Sequence, residues 1–223
     1  MHLDYSDCPA FTAALAAKLS VDGYAVACGI DSSEKHLALA SCFGRPALNA
    51  DGGVLSRLTV KTQEHALPKS LSAIHGNCAF PFHTDTAFWP LPCHYLPLRA
   101  VEGDLRRTTR ILAGASLLEG LNPVLVERSC WTVNTGVGAF YANLLCGSKP
   151  GLLRLDFGCM KPANSAARGL ACELTTRTQQ AHGIEIAWSA GMVLILNNWR
   201  MLHARSGPVE REGLRVLERI HLT

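Results

Sequence analysis

The spacing of apolar and polar residues divides the chain into an N-terminal helical part and a later part of short strands. Residues Pro9–Leu19 have the spacing of an amphipathic helix, and Gly23–Gly29 fits a short strand. A second helix is predicted over Ser33–Phe43, where Gly44 closes it. Residues 46–80 are rich in Gly, Ser, Pro and Asn without clear periodicity, so we expect loops that pack around the mouth of a site.

From Thr109 onward, short apolar runs alternate with breaks that contain Gly, Pro or Asn. The runs predicted as strands are Arg110–Ala115, Val124–Val126, Leu152–Phe157, Ile184–Trp188, Met192–Leu196 and Leu214–Leu222. Short strands with turn residues between them are typical of an all-β sandwich or barrel. Since no internal repeat or interdomain linker interrupts residues 1–223, we expect one domain that is mainly β with flanking helices.

The last predicted strand, Gly213–Leu222, has two distinct faces because successive side chains alternate across a strand. One face carries Leu214, Val216, Ile220 and Leu222, and the other carries Arg215, Leu217, Arg219 and His221. The two arginines lie about 13 Å apart along the strand. Because guanidinium can bind a carboxylate through two parallel hydrogen bonds, this face is a candidate receptor for a carboxylate ligand. The alternative is an exposed basic face on an edge strand.

The clearest chemical signal is the segment Phe80-Pro81-Phe82-His83-Thr84-Asp85, combined with the distant His203. His83 and Asp85 are two residues apart, so on a strand they project from the same side. With His203 as a third ligand, two imidazoles and one carboxylate occupy one face of an octahedral ion and leave three positions open. Non-haem Fe(II) oxygenases use this arrangement to hold a co-substrate and O2. A His-x-Asp triplet also arises by chance, so the motif gains its weight from the C-terminal arginines.

The composition is that of a folded protein rather than a disordered one, with 48% hydrophobic and 17% charged residues. The net charge of +3 is small, and the dense basic cluster of Arg106, Arg107 and Arg110 is interpreted as a solvated turn. Since aromatic residues do not interleave with a basic stripe, we expect no nucleic-acid partner. No apolar run reaches the roughly 18 residues of a spanning helix, so we expect no membrane partner either.

The nine cysteines are scattered, and no two lie within four residues of each other, which excludes a CxxC zinc or redox motif. Their odd number and an N terminus that is neither basic nor apolar predict reduced thiols in the cytoplasm. The histidines His36, His65 and His182 have no partner residues nearby in the sequence, and we expect them at the surface.

Several short segments together carry a family pattern. They are His83-Thr84-Asp85-Thr86-Ala87-Phe88, the stretch from Leu98-Arg99-Ala100 to Thr108-Thr109, Asn198-x-Arg200-x-x-His203-x-Arg205, Arg215-x-x-x-Arg219, and a start at Gly23-Tyr24-Ala25-Val26. These segments resemble the Fe(II)/2-oxoglutarate-dependent dioxygenases, and within them the taurine dioxygenase and clavaminate synthase-like group. The resemblance implies a double-stranded β-helix, also called a jelly-roll or cupin-like fold, flanked by N-terminal helices.

The same resemblance implies Fe(II) as the metal, with 2-oxoglutarate and O2 as co-substrates. It makes His83, Asp85 and His203 the iron ligands, and it makes Arg215 the partner of the C5 carboxylate of 2-oxoglutarate.

A threonine at the start of the strand after the first ligands usually assists in binding that carboxylate. Thr108 and Thr109 both qualify here. Alternation with Ile111 slightly favours Thr109 as the inward residue. The alternative is that both threonines are present only for their strand propensity.

Four further residues are candidates for contact with a substrate. Arg219 matches a position that binds an acidic group of the substrate in some members, and a supporting ion pair under the cofactor pocket is an equal alternative. Asn77 and Phe82 flank the first ligands and are candidates for lining the pocket, with loop packing as the alternative. Arg154 shares a strand face with Asp156, which allows a substrate-side ion pair or a purely structural one.

The reaction implied by the resemblance is hydroxylation of a C–H bond in a small-molecule substrate, with release of succinate and CO2. Acidic compounds, amino acids and intermediates of natural-product biosynthesis are the candidate substrates. Because Asp85 fills the position that halogenating relatives leave open, hydroxylation is favoured, while desaturation, epoxidation and ring closure stay open. The interval between Asp85 and His203 is shorter than in many relatives, which predicts a short lid.

Two other functions compete with this interpretation. One is a cupin-like metalloprotein that does not use 2-oxoglutarate, and the matches at Arg215 and the threonine pair speak against it. The other is a catalytically silent binding module of the same fold, against which the intact ligand set speaks.

Overall fold

The structure, a computed structural model, describes residues 3–4, 9–49, 51–59, 74–103, 105–210, 213 and 215–223. The helices are α1 (Pro9–Asp22), α2 (Ser33–Ser41), α3 (Gly114–Leu118), α4 (Pro123–Arg128) and α5 (Ser165–Gln180). The strands are β1 (Leu3–Asp4), β2 (Tyr24–Cys28), β3 (Leu55–Thr59), β4 (Tyr95–Gly103), β5 (Thr109–Ala113), β6 (Cys130–Asn134), β7 (Ala139–Asn143), β8 (Met160–Pro162), β9 (Ile184–Ile186), β10 (Val193–Asn197), β11 (Met201–Arg205) and β12 (Arg215–Ile220).

These strands form three sheets. The largest has the order β1-β2-β10-β4-β12-β3, the second has the order β11-β5-β9, and the third has the order β7-β6-β8. Apart from the parallel pair β1–β2, the paired strands in the described part of the chain run antiparallel. The prediction of a mainly β protein with flanking helices is therefore confirmed.

The main core lies between the largest sheet and the second sheet. Leu98, Leu194 and Leu217 project from the largest sheet and pack in one cluster with Ile111 and Met201 of the second sheet. Such alternation, with apolar residues toward the core on one face of each strand, is what closes two antiparallel sheets around a shared interior. This interior is the space toward which the candidate ligands also face.

Helix α1 covers the outer face of the largest sheet. Its buried residues Phe11, Leu15 and Leu19 are four apart and therefore lie on one side of the helix. They pack with Val193 and Ile195 of β10, which point away from the main core. The N-terminal helix expected from residue 9 onward is confirmed, and it extends three residues beyond the expected end at Leu19.

A third layer is built from β6, β8 and α5. Trp131, Val133 and Met160 pack against Leu170 and Leu174, which lie four residues apart on α5. Asn164 begins this helix by accepting a hydrogen bond from the amide of Ala167 through its side chain at 2.9 Å. The sequence analysis did not predict this helix.

The predicted strand Val124–Val126 is wrong, because these residues lie in helix α4. The side-chain oxygen of Asn122 accepts from the amides of Val124 at 3.0 Å and Leu125 at 3.4 Å, and Pro123 follows at the first helical position. An Asn cap followed by Pro starts a helix. A three-residue apolar run is too short to indicate which element it belongs to.

The predicted strand Leu152–Phe157 is wrong in part, because only Leu153 forms a bridge, to Leu145, and no full strand results. The hydroxyl of Thr84 takes the place of a ladder partner: it accepts from the amide of Leu155 at 3.1 Å and donates to the carbonyl of Leu153 at 2.8 Å. A side chain therefore interrupts the backbone ladder.

The loop region expected over residues 46–80 contains strand β3, so that expectation is also wrong in part. Residues 50 and 60–73, with His65 among them, lie outside the described part of the chain. Strand β2 and helix α2 are confirmed, although α2 ends at Ser41 instead of Phe43. No described helix has the length and hydropathy needed to span a membrane.

The C-terminal strand is confirmed with its two faces. Leu217 points into the main core, whereas Ile220 points outward and packs with Ala40 of α2. Leu214 lies outside the described residues. On the outward face, Glu218 is completely buried and pairs directly with Arg99 of β4 in the sheet register.

A buried polar cluster surrounds Glu218 between β12 and α2. Arg99 donates from Nε to the Glu218 carboxylate at 2.9 Å, and the hydroxyl of Ser33 donates to its other oxygen at 2.7 Å. Burial opposes ionisation, but these contacts hold the pKa of Glu218 below its ordinary value. His36 lies 3.6 Å from the same carboxylate and is fully buried, so its expected surface position is wrong. Burial lowers the pKa of His36 to about 4, and its imidazole is therefore neutral at pH 7.

We predict that Arg99→Met lowers the free energy of unfolding by about 3–5 kcal/mol, because it leaves a buried carboxylate without its charged partner. The control is Arg57→Met. The Arg57 guanidinium also approaches Glu218, at 3.6 Å, but its side chain is 64% exposed, so we expect a loss of less than about 1 kcal/mol. Urea unfolding at pH 7 measures both values. Equal losses in the two variants would contradict the assigned role of Arg99.

Candidate active site

His83 and His203 are brought together by the backbone. The amide of His83 donates to the carbonyl of His203 at 3.0 Å, and the amide of His203 donates back to His83 at 3.1 Å. Residues paired in this way lie directly opposite each other, with their side chains on the same face. Accordingly the two imidazole rings are only 4.3 Å apart between centroids. The sequence-predicted pair of histidines therefore meets in space.

Both imidazoles offer a ring nitrogen that could bind a metal ion. Nδ1 of His83 lies 3.1 Å from the carbonyl of Pro81 and donates to it in the tautomer that leaves Nε2 with a lone pair. Burial, together with the neighbouring His83, lowers the pKa of His203 to about 3. Nδ1 of His203 is buried without a hydrogen-bond partner among the described residues. A metal ion would satisfy such an atom.

The carboxylate of Asp85 is buried in a cluster of positive or polar groups. Its Oδ2 lies 3.0 Å from Nη1 of Arg219, and its Oδ1 lies 3.5 Å from Nε2 of His221. Burial alone raises the pKa of Asp85, but Arg219 and His221 outweigh it and hold the pKa well below its ordinary value. Asp85 is therefore ionised at neutral pH, as a metal ligand must be.

The donor types fit a 2-His-1-carboxylate metal site, namely two imidazoles and one ionised carboxylate. Within the part of the chain that the structure describes, no three His, Cys, Asp or Glu side chains are already grouped closely enough to hold a metal ion. The Asp85 carboxylate is instead engaged by the ion pair with Arg219 at 3.0 Å. A metal ion bound by the histidines would compete with Arg219 for that carboxylate.

The residue after Asp85 has an unusual backbone. Thr86 has a φ of 53° and is the single non-glycine residue with positive φ among the described residues. Its amide donates to Oδ1 of Asp85 at 2.7 Å, and its hydroxyl accepts from the amide of Cys93 at 2.8 Å. Left-handed conformations of β-branched residues are unfavourable and are often found at functional sites, so the surrounding contacts must hold this turn in place.

The predicted cofactor-binding residues also lie near one another. Arg215 is buried, and its Nη1 donates to the carbonyl of Arg107 at 2.8 Å. Thr109, two residues farther along, is buried on the inward face, and its hydroxyl accepts from the indole of Trp188 at 3.1 Å. Thr108 is less buried, and its carbonyl accepts from the Ser206 amide at 3.3 Å. The inward orientation that alternation favoured for Thr109 is what the structure has.

Arg107 is fully buried, so its interpretation as part of a solvated turn is wrong. Its Nη2 donates to the carbonyl and to the side-chain oxygen of Asn77, at 3.1 and 2.9 Å. Asn77 itself is exposed. Asn77 thus connects the loop before His83 to the segment that leads to Thr109, through its hydrogen bonds with Arg107. A partner far away in the sequence caused the burial, and the local pattern could not indicate it.

Phe82 does not line the site, contrary to the expectation. It is buried in the hydrophobic core with Leu117, Leu174 and Leu202. Since Phe82 and His83 are adjacent along an extended segment, the face opposite His83 is the core face.

Arg154 also departs from its predicted role, because it forms no ion pair with Asp156 among the described contacts. Its guanidinium donates to the carbonyls of Ala87, Trp89 and Pro90, the latter two at 2.6 and 2.8 Å. The side chain is buried. Arg154 therefore holds the loop that follows Asp85.

Three residues near the site were not assigned roles from the sequence. Trp188 contacts Thr109, and His221 contacts the carboxylate of Asp85. The amide side chain of Asn198 contacts the backbone of Asp85. His221 shares a strand face with Arg219, so alternation could have placed it at the site. Trp188 had no such signal beyond its place after a predicted strand.

No family model and no curated protein matches the chain. Several solved structures do match the chain in fold. One is asparagine oxygenase in complex with Fe(II), 3-hydroxyasparagine and succinate, at 16% identity and a TM-score of 0.75, covering 97% of this chain and 80% of that one. Another is the non-haem iron oxygenase OrfP with Fe, succinate and (3S)-hydroxy-L-Arg, at 18% identity and a TM-score of 0.75, covering 97% and 81%.

A third is PvcB, known from Pseudomonas aeruginosa and described as an Fe, α-ketoglutarate-dependent oxygenase from an isonitrile synthetic pathway, at 16% identity and a TM-score of 0.70, covering 99% and 82%. At these identities the likeness establishes a shared fold. The fold of this chain is therefore that of a group of iron-dependent oxygenases.

Proposed function

We propose that this protein is a non-haem Fe(II)- and 2-oxoglutarate-dependent oxygenase of the taurine dioxygenase and clavaminate synthase-like type, a single jelly-roll domain. The observation that carries the proposal is the reciprocal backbone pairing of His83 and His203, with ionised Asp85 two residues beyond. This donor set lies in a fold shared with oxygenases whose structures contain Fe and succinate.

His83, Asp85 and His203 would hold the metal, and Fe(II) with 2-oxoglutarate and O2 supplies the oxidation of a C–H bond, releasing succinate and CO2. The protein contributes two imidazoles and a carboxylate that stays ionised because of its cationic neighbours. His83 and Asp85 are buried and His203 is half-buried, which limits access of water to the site.

Arg215 and Thr109 would bind the distal carboxylate of 2-oxoglutarate. A buried guanidinium is a strong partner for a carboxylate. Because the Thr109 hydroxyl already accepts a hydrogen bond from Trp188, its own hydrogen is available to donate. Trp188 therefore orients the hydroxyl as a donor, which is the role a carboxylate ligand requires.

Arg219 would bind an acidic group of the substrate. Its side chain is 27% exposed, and it now pairs with Asp85. When the Asp85 carboxylate turns to a metal ion, the guanidinium is released toward the interior. The oxygenases of the same fold carry hydroxylated asparagine and arginine in their structures, which supports a small amino-acid-derived or acidic substrate and hydroxylation as the reaction. Natural-product biosynthesis as the context and the cytoplasm as the compartment stay predictions from the sequence.

A catalytically silent module of the same fold is the second candidate. The observation that favours it is the Asp85–Arg219 ion pair, which occupies a required ligand. The first experiment below separates the two functions.

We predict that the anaerobic protein binds one Fe(II) and then 2-oxoglutarate, giving the weak visible charge-transfer band of a keto acid chelated to ferrous iron. His83→Ala, Asp85→Ala and His203→Ala should each remove the band, because each deletes a ligand. His94→Ala is the control, since His94 stacks between Tyr95 and Trp199 and should keep the band. A silent module would show no band in the unaltered protein, and an unchanged band in all three variants would discard the ligand set.

We predict that Arg215→Leu weakens 2-oxoglutarate binding by about 1.5–3 kcal/mol, the scale of a hydrogen bond to a charged group. Iron binding should remain, because Arg215 is not a ligand. Titration of the charge-transfer band with 2-oxoglutarate measures the affinity, and the exposed Arg57→Leu is the control. An affinity equal to that of the unaltered protein would show that the carboxylate partner has been misassigned.

We predict that Arg219→Lys raises the KM for an acidic substrate far more than the KM for 2-oxoglutarate, because lysine retains the charge and loses the two-pronged geometry. Screening small acids and amino acids for substrate-dependent succinate release supplies the substrate for this measurement. A parallel rise of both constants would instead assign Arg219 a supporting role beneath the cofactor pocket.

A further inference from the structure

The side-chain amide of Asn198 joins the turn before His203 to the backbone of Asp85. Its Oδ1 accepts from the Asp85 amide at 2.9 Å, and its Nδ2 donates to the Asp85 carbonyl at 3.0 Å and to the Cys93 carbonyl at 2.9 Å. We propose that Asn198 is a positioning residue that fixes the Asp85 carboxylate for metal binding by fixing the backbone from which it projects. This inference rests on the proposed iron site.

The geometry of this contact is that of a strand partner. Asn198 satisfies both the donor and the acceptor of Asp85, as an adjacent strand would, although no strand pairs with Asp85 at this point. Asn198 is almost completely buried, so water does not replace these bonds. Loss of the amide would leave the backbone N–H of Asp85 unsatisfied, and its C=O would keep only the hydrogen bond from the Thr86 hydroxyl.

The orientation of the carboxylate depends on the turn that Asn198 holds. Oδ1 of Asp85 accepts from the amide of Thr86, the residue that has a φ of 53°. The Thr86 hydroxyl donates to the Asp85 carbonyl at 2.7 Å and accepts from the Cys93 amide. Asn198 binds the carbonyls at both ends of this loop, those of Asp85 and Cys93. Because a left-handed threonine is unfavourable on its own, these contacts are what maintain it.

The same side chain couples the ligand segments. Asn198 lies in the turn between β10 and β11, and His203 follows within β11. His203 in turn pairs with His83. The three ligands are thus connected by two sets of hydrogen bonds, one through the histidine backbones and one through the Asn198 amide. A metal site needs this kind of outer support to hold its ligands in position.

The neighbouring Asn197 provides a matched control. It is also a buried asparagine and is the last residue of β10, directly before the turn, but its Oδ1 accepts from the amides of Trp199 at 3.2 Å and Arg200 at 3.3 Å. It therefore shapes the turn and does not contact Asp85. A change at Asn197 reports the cost of disturbing the turn, whereas a change at Asn198 adds the loss of the contact with Asp85.

The test is a titration of the metal-free protein with Co(II) alone, following its visible ligand-field bands. Asn198→Leu, close in size but unable to hydrogen-bond, should lower the Co(II) affinity about 10- to 100-fold and alter the shape of the bands. Asn198→Asp keeps the oxygen that accepts from the Asp85 amide, but it loses the hydrogen bonds donated to the carbonyls of Asp85 and Cys93. Its Co(II) affinity should therefore lie between that of the unaltered protein and that of Asn198→Leu. Asn197→Ala should bind Co(II) within about twofold of the unaltered protein, although its melting temperature falls.

The outcomes separate the inference from the function on which it rests. An unaltered protein that binds no Co(II) would overturn the iron site and, with it, the role of Asn198. If the unaltered protein binds Co(II) and folded Asn198→Leu binds it within twofold, the inference alone is overturned. If Asn198→Leu does not fold, Asn198→Asp decides, and an affinity equal to that of Asn197→Ala would likewise exclude a positioning role.

Discussion

The mutual backbone hydrogen bonds between His83 and His203 are the constraint on which the site depends. They join two segments that are far apart in the chain and fix the separation of the imidazoles independently of any bound group. On the other side of the same extended segment, Thr84 is bonded to Leu153 and Leu155. The segment that contains His83 and Thr84 is therefore hydrogen-bonded on both sides, which fixes the direction in which each of its side chains projects.

Much of this arrangement is accessible from the sequence because it follows from alternation. The inward face of Thr109 and the two faces of β12 are local properties of strands. The local pattern also predicts the presence of α1 and β2. These features need no knowledge of distant partners, and they were predicted correctly.

The features that were missed depend on contacts across the sequence. Arg107 contacts Asn77, and His36 lies beside Glu218, and both partners come from remote segments of the sequence. A local pattern therefore could not predict that Arg107 and His36 are buried. Arg154 and Asp156 share a predicted strand face, yet Arg154 instead binds carbonyls of the loop after Asp85. The helix α4 was mistaken for a strand because its apolar run is short and its start is encoded in the Asn-Pro pair before it.

The outward position of Glu218 has a consequence for how β12 can assemble. Arg215, Leu217 and Arg219 face the interior, while Glu218 between them reaches Arg99 on the opposite side. Sliding this strand by one residue would send both arginines toward α2 and place Glu218 among the ligands of the interior. Each misaligned alternative would bury a charge without its counterpart, which is a severe penalty. The ion pair on the back of the sheet thus excludes incorrect alignments of the strand, so that Arg215 and Arg219 reach the interior from a single alignment of β12 and β4.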